Sequence, residues 1–100
     1  MATKSADKIA VENFAQGGKV SFVDAAKYQA ARAAVLQALP RGKPGLTIEE
    51  LYEVMAPLLP EKLFPQSKGA VWWMKTAQLD LESKGLIVRD GRTPMRLRRV

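Results

Sequence analysis

Apolar and polar positions change their period along the chain, and the changes mark the elements. Val20 and Phe22 alternate with Lys19 and Ser21, a period of two that predicts a strand. Ile9–Phe14 is a second short apolar run, separated from the first by Ala15-Gln16-Gly17-Gly18. The Gly pair predicts a β-hairpin, with an extended segment or a helical turn over 9–14 as the alternative. From Asp24 onward the period becomes helical. Tyr28, Ala31, Val35 and Ala38/Leu39 recur on one face, Asp24 is a good N-cap, and Pro40 ends a helix over about 25–39. Arg41-Gly42-Lys43-Pro44-Gly45 reads as a loop.

A second helix follows Leu46. Thr47 and Glu50 have the T-x-x-E spacing of a capping box. Ile48, Leu51, Met55 and Leu58 or Leu59 are expected inside, and Pro57 should end the helix near Ala56. Between Pro60 and Pro65 only a short turn fits, with Leu63 and Phe64 as anchors. A third helix is expected from Ser67, its N-cap, to about Lys84, with Gly85 as the left-handed stop. Leu86–Arg89, the turn Asp90-Gly91 and Met95–Arg99 then read as a second hairpin, and Leu46 could add a third strand.

Charge sharpens this picture. The chain has 100 residues and a net charge of +6, and residues 86–100 hold five Arg against Asp90 alone. Two thirds of the net charge therefore sits in the last hairpin, carried by the side chain best suited to phosphate and guanine. Polyanions are the natural partners to consider. The bland alternative is a solubilising basic end.

Two stretches, GLTIEELYEVM (45–55) and LDLESKGLIVRDGR (79–92), resemble the winged helix-turn-helix superfamily. The second resembles the junction between recognition helix and wing in bacterial regulators of that type. The resemblance implies that Leu81 packs inward, Gly85 turns the chain and Leu86 starts the wing. ENFAQGGKVSFVDAAKY (12–28) and WWMKTAQLDLESKGLI (72–87) also resemble a small family of roughly 100-residue bacterial proteins with no assigned activity. The implied fold is α+β, mainly α: three helices plus a C-terminal hairpin wing over 24–100, with residues 1–23 as an extension packed on that domain. One feature departs from the pattern. The connection between the second and third helices is long and holds Pro60 and Pro65, so the tight corner of a helix-turn-helix is not intact.

Stepping about 100° per residue from Ala70 puts Trp73, Met74, Ala77 and Leu81 on the core face of the third helix. Trp72, Lys75, Thr76, Leu79 and Ser83 fall broadly opposite. In a DNA reader that far face enters the major groove. Ser67, Lys68, Lys75, Thr76 and Gln78 suit base edges and phosphates, and Arg89, Arg92, Arg96 and Arg98 suit phosphates from the wing. Trp72 and Leu79 do not suit a groove. Either the N-terminal segment covers them, through Val11, Phe14, Val20 or Phe22, or they form a protein interface.

Catalysis finds little support. There is no His and no Cys, which removes the commonest general base and Cys-based metal sites. Glu49 and Glu53 share a face at i, i+4 but lack a third ligand, and the Gly-containing loops fail phosphate-loop spacing. No catalytic residue, cofactor, metal or membrane partner is expected, and the composition fits a bacterial cytoplasmic protein. Two readings remain: a winged-helix module binding double-stranded DNA, as a small regulator or accessory protein, or a winged-helix protein-interaction or dimerisation module.

Overall fold

A computed structural model describes residues 7–91 and 94–100. The fold is α+β, with three helices and two small antiparallel sheets. Strands β1 (Lys8–Asn13) and β2 (Lys19–Asp24) form the first sheet, joined by a single 3-10 turn over Phe14–Gln16 and the Gly17-Gly18 pair. The hairpin reading of the N-terminus therefore holds. Its register pairs Val11 with Ser21 and Ile9 with Val23, so these four share one face. Ala10, Val20 and Phe22 share the other.

Asp24 caps α1 (Ala25–Ala38), its carboxylate accepting from the Lys27 amide at 2.9 Å. Tyr28, Ala31, Ala34 and Val35 are buried along one face, and Leu39 continues that stripe just past the helix end. Strand β3 (Leu46–Thr47) and α2 (Ile48–Met55) follow. The capping box is present in both directions: Thr47 Oγ1 accepts from the Glu50 amide at 3.1 Å, and the Thr47 amide donates to Glu50 Oε1 at 3.0 Å. Gly45, just before β3, has φ 76°, and a Cβ there would collide with the Leu97 backbone. Only glycine lets the chain lie this close to the neighbouring strand.

The segment after Pro57 behaves as its prolines require. A 3-10 turn over Ala56–Leu58 ends α2, Phe64 is fully buried, and Leu63 is partly so. The third helix starts later than its sequence signals indicate. Ser67 does not cap it: Ser67 ends a 3-10 turn over Pro65–Ser67 with a positive φ of 61°. Seating Phe64 in the core makes the chain turn once more before Gly69, which is the N-cap of α3 (Ala70–Ser83). At its other end the Gly85 amide bonds Glu82 and the Leu86 amide bonds Leu81 at 3.0 Å, with Gly85 left-handed as expected.

Strands β4 (Ile87–Asp90) and β5 (Arg96–Arg99) complete the second sheet in the order β3-β5-β4. Leu46 does add the third strand, opposite Leu97. β4 begins at Ile87, which is buried, whereas Leu86 is exposed. Ile87 and Leu97 point into the core beside Leu81, Leu51, Met55 and Tyr28. Thr47, Val88, Asp90, Arg96 and Arg98 share the opposite, outer face.

Candidate functional site

Helix α3 is two surfaces in series. Its first half exposes Val71, Trp72 and Lys75, with Lys68 exposed just ahead of it. Its second half is buried on every side, from Ala77 through Glu82. The apolar stripe of α1 packs on one side of it and β1 on another.

This burial corrects one expectation and decides between the alternatives of another. Gln78 does not face outward. It is 1% exposed, and its amide nitrogen donates to Glu82 at 3.0 Å. Leu79 is 9% exposed, covered as the first of its two alternatives had it, while Trp72, expected beside it, is 56% exposed. The hairpin is the cover, but not through all the residues the sequence nominated. Val11 is buried and Val23 half-buried, whereas Phe14, Val20 and Phe22 remain exposed. The strand register explains the split, because Val11 and Val23 share the inner face and Val20 and Phe22 the outer. Ser67 is half-buried, Lys68 and Lys75 are exposed, and Thr76 is half-buried.

Between the inner hairpin face and α3 lies a cleft of about 210 Å³. Val11, Val23 and Leu79 give it apolar surface, Trp72 and Lys75 line its α3 side, Glu12 adds a carboxylate, and Asn13, Ser21 and Thr76 add neutral polar groups. A second groove of about 280 Å³ runs between α2 and α3, with Ile48, Tyr52, Val71 and Met74 inside and Glu49 and Glu53 lining it.

A polar cluster clamps the hairpin to α3. The Asp80 carboxylate is fully buried and accepts from the Tyr28 hydroxyl, from the Glu12 amide at 2.8 Å and from Lys84 Nζ at 2.9 Å. Ser83 Oγ donates to Glu12 Oε1 at 2.5 Å. Burial, and then the hydrogen bond and charge of Asp80, push the Tyr28 hydroxyl well above its ordinary range. Tyr28 is thus held as a donor. Sequence reasoning missed this cluster. The available signal was Tyr28 itself, since a tyrosine on a core stripe needs a partner for its hydroxyl.

The arginines divide into two groups. Arg89 grips Glu82 with two bonds, of 2.5 and 2.7 Å, and its guanidinium lies 5.5 Å from the centre of the Phe14 ring. Those bonds to Glu82 hold it charged. Glu82 is nearly inaccessible, so this pair is structural. Arg96 reaches Glu50 Oε1 and the Gly45 carbonyl, each at 3.3 Å, and Arg98 pairs with Asp90 at 2.8 Å. Arg99, not singled out in the sequence, donates to the Leu39 carbonyl at 3.0 Å. Its amide meets the Pro40 carbonyl at 2.7 Å and Gly45 abuts Leu97, so the 40–45 loop with Arg41 and Lys43 runs beside β5. Arg92 lies outside the described residues.

Each β5 arginine uses one or two of its five N–H donors, which leaves capacity for an anion. Among the described residues no group of three His, Cys, Asp or Glu could hold a metal, and no helix is long and apolar enough to cross a membrane. No curated protein and no solved structure matches the chain. A family model does match, over residues 8–97, nearly the whole of the fold just described, and the chain belongs to that family of unknown function (DUF6958).

Proposed function

We propose that the protein is a non-catalytic, winged-helix DNA-binding module that holds duplex DNA by its phosphates. The order α1-β3-α2-α3-β4-β5, with β3 and β4 flanking β5, supports the winged-helix assignment. The carrying observation is the cation set on β5 and the loop beside it: Arg96 and Arg98 on the outer face, with Glu50 and Asp90 as their paired carboxylates, and Arg99 from the other face of the strand beside Arg41 and Lys43 of the loop. Both pairs are partly exposed, so each is worth about 0–1 kcal/mol and exchanges readily for phosphate. In this reading α3 does not enter the groove, because β1 covers its second half. Backbone contacts position a protein without reading sequence, so low sequence selectivity is expected.

Fluorescence anisotropy on a duplex at several salt concentrations tests this. With about four phosphates neutralised, log K falls against log salt with a slope of about −3.6. Absence of binding at about 50 mM salt, or a slope near zero, sinks the proposal.

A protein-contact reading draws on a different observation. Val20 and Phe22 are exposed, Phe22 at 67%, on a strand whose outer edge has no neighbour among the described residues. Such an edge is open to strand addition. Sedimentation of the intact protein and of a Phe22→Ser variant tests it: the reading needs a concentration-dependent dimer that the variant loses.

A further inference from the structure

We propose that the cleft between the hairpin and α3 is a binding site for single-stranded nucleic acid, with Trp72 as a stacking platform and Lys75 meeting a phosphate. The proposal takes only the polyanion class of its ligand from the reading above, and its site is separate from β5.

The two adjacent tryptophans have different tasks. Trp73 packs against the core and meets the Phe64 ring edge-to-face, at 6.3 Å and 80°. Trp72 meets Trp73 edge-to-face in turn, at 4.8 Å and 81°. In an edge-to-face pair each ring keeps at least one flat surface clear of its partner. Trp72 is therefore held in position by a half-buried neighbour that packs on the core, while more than half of Trp72 stays exposed, at the side of a cleft. Base–aromatic stacking needs such a fixed open face and accepts any base.

The rest of the lining selects among ligands. Lys75 is the one cation of the lining and Glu12, whose carboxylate Ser83 already engages, the one anion. The cleft therefore has no charge excess to hold a strongly acidic peptide and leaves Lys75 for a single phosphate at its side. Asn13, Ser21 and Thr76 supply neutral donors and acceptors, which suit the edges of a base. A duplex does not fit. A helix with its side chains is about 10–12 Å across and the major groove about 12 Å wide, so a helix flanked by a hairpin exceeds the groove. A single strand can place one unstacked base into about 210 Å³ and leave its backbone outside beside Lys75.

The test titrates the full chain with an oligothymidylate of about twelve nucleotides, and separately with a duplex, following anisotropy and indole emission. The oligothymidylate should bind and quench emission. Trp72→Ala should weaken single-strand binding about tenfold and leave duplex affinity unchanged. Trp72→Phe should restore part of that loss and abolish most of the quench, although Trp73 remains. Lys75→Glu, a wholly surface change, should also weaken single-strand binding severalfold and make it less salt-dependent. The proposal is overturned if the Trp72 variants bind the single strand like the parent protein. It is equally overturned if single-strand and duplex affinities fall by one common factor, or if oligoglutamate quenches as strongly as the oligonucleotide. If the duplex fails to bind while single-strand binding depends on Trp72, the duplex reading falls and the cleft assignment stands.

Discussion

The amide of Glu12 donates to the carboxylate of Asp80 at 2.8 Å, across 68 residues of chain. That bond joins the edge of β1 to the buried half of α3, and Ser83 reinforces it by donating to the Glu12 side chain. It explains why α3 cannot serve along its whole length as a reading head. A buried carboxylate is costly unless fully hydrogen-bonded, and the hairpin supplies one of the three donors that satisfy Asp80. The cover and the core therefore depend on each other.

Removing Asp80 should consequently loosen the hairpin and not merely the helix. Asp80→Ala leaves the Tyr28 hydroxyl and the Glu12 amide without their acceptor, and we expect a loss of about 3–5 kcal/mol. Asp80→Asn keeps an acceptor and should cost less, about 1–3 kcal/mol. Urea unfolding measures both. Hydrogen exchange at the Glu12 amide should accelerate in the Ala variant before global unfolding, and an unchanged rate there would refute the clamp.

Tyr28 gives the fold an alkaline limit. Its hydroxyl titrates well above its ordinary value because it is buried and bonded to Asp80. In the unfolded chain the same group loses its proton near pH 10. Above that pH the folded state binds more protons than the unfolded one, so stability falls as pH rises, by up to about 1.4 kcal/mol per pH unit. Below about pH 10 the contribution is fully present. Tyr28→Phe should flatten this alkaline decline relative to the parent protein in thermal melts at stepped pH.

The local signals were strong where short-range chemistry decides. Asp24, the Thr47–Glu50 box, Pro57 and Gly85 each act within a turn of their own position, and each does so where expected. Ser67 misled because the nearby Phe64 anchor overrides capping preference and makes the chain turn once more. Gln78 misled for another reason, while Leu79 met the first of its two alternatives, cover by the hairpin. A helical projection assumes one buried face, and the second half of α3 has neighbours all round. The partners of Asp80 and Glu82 come from residues 12, 28 and 89, and no spacing rule links those positions.

Gly45 should be far less tolerant than its loop neighbour Gly42. An added Cβ at Gly45 meets the Leu97 backbone at a left-handed φ of 76°, whereas Gly42 faces open space. Gly45→Ala should destabilise by about 2–3 kcal/mol, and Gly42→Ala by less than about 0.5 kcal/mol. Guanidinium unfolding of the two variants provides the comparison. A similar small effect for both would mean that the β3–β5 approach relaxes freely.

Arg89 and Arg98 should separate stability from binding, although the sequence offers them as equivalent cations of one hairpin. Arg89 lies against Glu82, whose side chain is 2% exposed, and Arg89→Ala leaves that carboxylate buried and bonded to Gln78 alone. A loss of about 3 kcal/mol is expected, with little change in the salt slope of DNA binding if the fold survives. Arg98 pairs with a partly exposed Asp90 on the outer face, so Arg98→Ala should cost under about 1 kcal/mol. Its effect should fall instead on DNA, weakening binding to all sequences alike and reducing the magnitude of the salt slope by about 0.9. Parallel urea melts and anisotropy titrations on both variants give the two axes. The division fails if Arg98→Ala leaves the slope intact, because phosphate contact would then lie elsewhere than on β5.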